Sequence, residues 1–195
     1  KAKIFVDDSA ALNIFELRAK CRRLKSLHDV GLIIIDYLQL MSGSSDNRNS
    51  NREQEISTIS RNLKQLAKEL QVPIIALSQL SREVEKRKEG QKVPQLSDLR
   101  ESGAIEQDAD MVMFLYRPDY YDITTNDMGE DTKGDTYVKI AKHRNGSLEN
   151  IKLKAKLFIQ KFEEHESLDP FGRPADGGGG SWRPVNEEGG AKLYI

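Results

Sequence analysis

The chain has 195 residues, 31% charged and 37% hydrophobic, with a formal net charge of −1. That length allows one substantial core, and the near-neutral total excludes a chain that attracts polyanions by net charge alone. A single cysteine, Cys21, excludes an internal disulfide framework, and with no long apolar span and no leader in the sequence, a cytoplasmic protein with no membrane partner is expected.

The chain opens on "KIFVDD", which reads as an apolar strand. Asn13 with Glu16 three residues later forms a capping box, and Ile14, Leu17, Cys21, Leu24 and His28 recur at helical spacing. Arg18, Lys20, Arg22, Arg23 and Lys25 fall on the wet side of that helix. Next, "GLIIIDYLQLM" sets Leu32 to Ile35 in an unbroken aliphatic run that ends on Asp36. Such a run predicts a strand buried on both faces, as in a parallel sheet covered by helices. Asp36 then lies at the strand's C-terminal edge, where open α/β sheets bind ligands. A carboxylate there can hold a metal ion or its water shell, or cap the following turn.

A polar loop, "MSGSSDNRNSN", leads to Ser50 and Glu53, a second capping box, and to an apolar stripe of Ile56, Ile59, Leu63, Leu66 and Leu70. "VPIIALSQ" is a further aliphatic strand, ending on Ser78 and Gln79. A charged segment precedes "SDLRESGAIEQDAD" and the strand "MVMFLY"; a polar excursion occupies residues 117 to 135. "TYVKIAKHR" and "IKLKAKLFIQ" flank Asn145-Gly146, a strong hairpin dipeptide. In the second strand Ile151, Leu153, Ala155 and Leu157 alternate with Lys152, Lys154 and Lys156, which predicts a buried face and a solvated lysine face. Between Lys139 and Lys161 seven cations stand against Glu149 alone, a local basic strip. The order of strands and helices predicts right-handed crossovers building a mostly parallel sheet, extended at one edge by an antiparallel hairpin. Residues 163 to 195, rich in Gly, Pro and charge, read as a disordered tail.

Five stretches taken in order, "LIIIDYLQLM", "REQEISTISRNLKQLAKEL", "PIIALSQLSREVEKR", "SDLRESGAIEQDADMVMFLYR" and "KHRNG", resemble the C-terminal motor domain of the bacterial replicative DNA helicase of the DnaB type. The resemblance covers residues 1 to 162. It implies a RecA-like fold acting as a homo-hexamer that hydrolyses ATP with Mg²⁺ between subunits while single-stranded DNA passes through the ring. Primase and a helicase loader are the further partners it implies. Asp36 matches the Walker B aspartate, which holds the water shell of a Mg²⁺ bridging the nucleotide's phosphates. Gln79 matches the sensor that reports loss of the γ-phosphate to the DNA-binding segment. Arg100, Glu101, Ser102 and Gly103 match the loop facing the DNA channel. There Arg100 meets a phosphate, and glycine at 103 lets the strand approach the backbone. Lys142 and Arg144 match cations sent into a neighbouring subunit's nucleotide site. The loop from Ser42 to Asn51, with Arg48 and Arg52, is a second stretch that can face DNA.

One departure is plain: the chain has no Gly-Lys dipeptide, hence no G-x-x-x-x-G-K-[ST] phosphate cradle. The family's P-loop and the glutamate that activates the attacking water lie upstream of Lys1. The expectation is therefore an N-terminally truncated motor domain, inactive alone. The alternatives are another RecA-like ATPase, of recombination or circadian-clock type, or a non-catalytic RecA-like module that binds single-stranded DNA or a ring partner.

Overall fold

A computed structural model describes residues 3–43, 52–88, 92–99, 103–126, 128–164 and 193–194. They fall in two units: Lys1–Ser81 with Leu96–Val112 and Ala191–Ile195, and Arg82–Gln95 with Met113–Gly190.

In the first unit, helix α1 spans Ile14–His28 and starts where its cap dictates. Asn13 Oδ1 accepts from the Phe15 and Glu16 N–H groups, each at 2.9 Å, and Glu16 Oε2 accepts from the Asn13 N–H at 3.3 Å. It stops at Asp29, whose left-handed backbone breaks the helical run. Helix α2 spans Arg52–Leu70, and its apolar stripe goes inward: Ile56, Ile59, Leu63, Leu66 and Ala67 are fully buried. The capping box expected on Ser50 lies outside the described residues. Strands β1 (Ile33–Ile35) and β2 (Ile74–Ala76) pair in parallel, Ile33 opposite Ile74 and Ile35 opposite Ala76, as a crossover through α2 requires. Helix α3 spans Gly103–Asp108, and β3, Met111–Tyr116, begins in this unit. A two-residue strand at the chain's end, Leu193–Tyr194, runs parallel to β2 on one side and to the start of β3 on the other.

Two expectations change here, the first being the opening strand: residues 3–9 form none, and Ile4 is 79% and Val6 87% exposed. Strand β1 is not buried on both faces, because Ile34 is 62% exposed and Leu32 48%. An aliphatic run shows that a strand tolerates cover on both faces; it does not supply the cover. The face carrying Ile74 and Ala76 is the one closed by α2, and among the described residues the face carrying Ile34 is open. Of the tail expected from 163 onward, the described residues are 163, 164, 193 and 194. Residues 163 and 164 continue a strand, and 193 and 194 join the parallel sheet.

The second unit carries the antiparallel strands. Strands β4 (Asp135–His143) and β5 (Asn150–Lys156) form the hairpin expected around Asn145-Gly146, with Thr136 opposite Leu153 and Val138 opposite Ile151. Strand β6, Lys161–Glu164, adds antiparallel to β5. We number the terminal strand Leu193–Tyr194 as β7. The lysine face of β5 reaches solvent as expected but is also ion-paired, whereas the face expected to be buried is open at Ile151, 42% exposed, and at Leu157, 47% exposed and beyond the strand. Lys152 Nζ lies 2.9 Å and Lys154 Nζ 3.2 Å from the carboxylate of Asp135, whose side chain is 3% exposed, and Lys156 pairs with Glu163 at 2.6 Å. Alternation identifies which residues share a face, but a buried acid on the partner strand turns that face into an ion-paired one. Among the described residues no helix is long and apolar enough to cross a membrane.

Candidate functional site

Parallel pairing brings the carboxyl ends of β1 and β2 side by side. The Leu77 N–H donates to Ile35 O and the Leu38 N–H to Leu77 O, both at 2.9 Å, so the two chains stay in register past their last strand residues. Asp36 leaves β1 at this edge, exposed, its peptide to Tyr37 cis. Ser78 and Gln79 leave β2 beside it, and Gln79 is also exposed. The structure thus brings Asp36 and Gln79 to one edge of one sheet, the position where such sheets bind ligands. Gln39, three residues beyond Asp36, reaches across to the end of β2. Its Nε2 donates to Ser78 Oγ at 3.0 Å and its Oε1 accepts from the Gln79 N–H at 3.2 Å.

Asp36 also suits the metal expected of it. Among the described residues no three His, Cys, Asp or Glu side chains converge to enclose a cation. A single exposed carboxylate at a strand end fits Mg²⁺, which keeps several waters and takes the rest of its ligands from phosphates.

Beyond Gln79 the chain is tied to the segment that leads to residue 100. Leu80 bridges antiparallel to Leu99, and the Ser81 N–H donates to Asp98 O at 2.8 Å. Asp98 and Leu99 are both buried, so this joint is packed as well as hydrogen-bonded. Arg100, Glu101 and Ser102 lie outside the described residues. Gly103 opens α3 and is exposed, and a Cβ there would meet nothing within 4 Å. Packing within this chain therefore does not require glycine at 103.

Lys142 and Arg144 belong to the second unit. Lys142 is half-buried in β4; Arg144 is exposed in the turn just beyond it, and neither is without a partner. The turn is shaped by Gly146, where an added Cβ would collide with the His143 ring. Of the second candidate loop, Arg48 lies outside the described residues. Arg52 is turned back into the fold: its Nη2 donates to Gln39 O at 2.8 Å and Met41 O at 3.2 Å, and its Nη1 pairs with Glu55.

Residues 1–164 match the family described as the DnaB-like helicase C-terminal domain. The chain belongs to the DnaB-like helicase C-terminal domain family. It is 50% identical over 166 residues to the replicative DNA helicase DnaC of Bacillus subtilis (strain 168), covering 85% of this chain and 34% of that protein. It is 49% identical over 168 residues to the replicative DNA helicase DnaB of Geobacillus stearothermophilus, covering 86% of this chain and 35% of the relative. Of solved structures, a DnaB-like replicative helicase described with its interactions with primase superposes with a TM-score of 0.71 at 43% identity, covering 82% of this chain and 36% of that one. A second solved structure, described as an ATPase domain, gives a TM-score of 0.68 at 43% identity, covering 80% of this chain and 52% of that one. The chain spans about a third of the length of these curated relatives.

Within this DnaB-like domain the residues that sequence reasoning passed over are Gln39, Arg52 as a structural cation, Glu55 and Asp135. Gln39 carried a signal, being the one amide inside the apolar "YLQLM". Arg52 and Glu55 are spaced for an i, i+3 pair, but their bonds to residues 39, 41 and 43 depend on tertiary contact.

Proposed function

We propose that this chain is part of the ATP-driven motor of a replicative DNA helicase that unwinds duplex DNA by moving along one strand as a hexameric ring. The observation that most supports the reading is that Asp36 and Gln79 leave adjacent strands at one sheet edge, with the chain beyond Gln79 bridged at Leu80 to the segment that runs into Arg100.

When bound, Mg²⁺ neutralises charge on the nucleotide's phosphates. Asp36 would hold that ion. The Gln79 amide donates to a γ-phosphate oxygen, and loss of that phosphate removes the acceptor. Because Leu80 is paired with Leu99, a shift at Gln79 reaches the loop of Arg100, Glu101 and Gly103 by a short, packed route. In that loop the Arg100 guanidinium meets DNA phosphates, which carry no base identity, so binding is insensitive to sequence. Lys142 and Arg144 act in trans, completing the nucleotide site of the adjacent subunit. Primase and a helicase loader are the partners this reading adds.

In the complete protein, Asp36→Ala is expected to abolish ATP-driven unwinding and reduce single-stranded-DNA-stimulated hydrolysis by about 10³-fold or more, with the hexamer intact by light scattering. If the complete protein binds single-stranded DNA but hydrolyses no ATP even with Asp36 present, a non-catalytic binding module replaces this reading.

A further inference from the structure

Gln39 is held at three points, two on its side chain and one on its backbone. Its amide spends the donor on Ser78 and the acceptor on the Gln79 backbone N–H. Its backbone carbonyl accepts from Arg52, which also serves the Met41 carbonyl and pairs with Glu55. Glu55 in turn accepts from the Gly43 N–H at 2.5 Å, and that hydrogen bond is the first cause holding its carboxyl below the ordinary range. The approach is close enough that a Cβ on Gly43 would stand 2.7 Å from Glu55 Cγ. Alternate residues 39, 41 and 43 are thus fastened to one end of α2, while the side chain of residue 39 fastens the end of β2. Asp36 lies three residues before this clamp and Gln79 is gripped by it.

We propose that Gln39 is a positioning residue that fixes Gln79 relative to Asp36, and that Arg52 with Glu55 holds Gln39 in place to do so. An amide suits the task because it must donate to one neighbour and accept from the next; a carboxylate or an aliphatic side chain supplies at most half of that. The clamp touches no reacting atom. It acts by setting where the Gln79 amide stands when the γ-phosphate arrives, and a misplacement of about 1 Å in such a group costs on the order of 10²-fold in rate. The inference rests on the reading of Asp36 and Gln79 as parts of a nucleotide site.

The test is a double-mutant cycle in the complete protein, measuring kcat, KM for ATP and equilibrium binding of a fluorescent ATP analogue. Gln39→Leu is expected to lower kcat by about 10- to 100-fold with KM and analogue affinity changed less than about threefold. In a Gln79→Ala background the same substitution is expected to cost less than about twofold, since the group being positioned is gone. Arg52→Lys, which keeps the charge beside Glu55 but loses the fork to two carbonyls, is expected to give a smaller kcat loss of the same kind. It also guards against a Gln39→Leu protein that does not fold. Full additivity of Gln39→Leu and Gln79→Ala, or an Arg52→Lys enzyme with wild-type kcat, overturns the proposal. A wild-type rate for Gln79→Ala alone overturns the underlying site reading instead, so the two failures are separable.

Discussion

Asp135 sits buried in β4 with the ammonium groups of Lys152 and Lys154 on its two carboxylate oxygens. Burial pushes its pKa up, but the hydrogen bonds from Lys152 and then Lys154 outweigh burial and hold the carboxyl below the ordinary aspartate range. A depressed folded value means stability that is complete above the unfolded aspartate pKa of about 3.9 and drains away as pH falls through the lower folded one. Asp135→Asn is therefore expected to cost about 1–2 kcal/mol at neutral pH in urea unfolding, less than a fully buried pair because both lysines reach water. The difference between variant and parent should shrink as the medium is acidified below the ordinary aspartate range; a gap that persists unchanged there contradicts the assignment. At the same scale, Arg100→Ala in the complete protein should weaken single-stranded DNA binding equally across sequences and reduce the salt slope by about 1. An unchanged slope removes Arg100 from the DNA path.

Helix α2 carries the packing of the first unit, and its core positions set the scale for an element. Leu63 is fully buried at the centre of the stripe, so Leu63→Ala is expected to cost about 2–5 kcal/mol through lost burial and the cavity left behind. The outer face of the same helix counts for far less. Glu69 takes Arg18 and Arg22 of α1, yet all three side chains stay at least 28% exposed, so Glu69→Gln should change stability by under about 1 kcal/mol. Thermal unfolding of the two variants side by side checks the contrast. What was legible in the sequence follows the same division. The Asn13 cap, the α2 stripe and the Asn145-Gly146 turn were readable because each is decided within a few residues of chain. The ion pairs on the lysine face of β5 were not readable, because Asp135 lies fifteen or more residues away and only strand pairing sets it opposite. Asp36 and Gln79 could be placed at strand ends from their aliphatic runs, whereas the Gln39 clamp depends on partners just beyond β2 and on α2. The open face of β1 was invisible for a related reason: apolar residues state a capacity for burial, and the covering element has to come from elsewhere.

For the whole molecule, the proposed function divides the chemistry between neighbours in a ring. This chain lacks a phosphate cradle of the G-x-x-x-x-G-K-[ST] type, so taken alone it is expected to show no ATP hydrolysis above background and at most weak nucleotide binding. In the complete protein, each site is to draw Asp36 and Gln79 from one subunit and Arg144 from the next, so Arg144→Ala should spare assembly and nucleotide binding while lowering turnover by about 10³-fold or more. Arg144→Lys should restore only part of it, since an ammonium lacks the planar fork that spans two phosphate oxygens. The most direct measurement is single-turnover phosphate release, with ATP limiting, from rings assembled out of mixed Asp36→Ala and Arg144→Ala subunits. Where an Arg144→Ala subunit faces an Asp36→Ala neighbour, an intact Asp36 meets an intact Arg144, and the mixed rings are predicted to release phosphate well above either variant alone. Mixed rings no more active than the two separate variants, or an Arg144→Ala ring that hydrolyses ATP at the parent rate, would contradict the shared site.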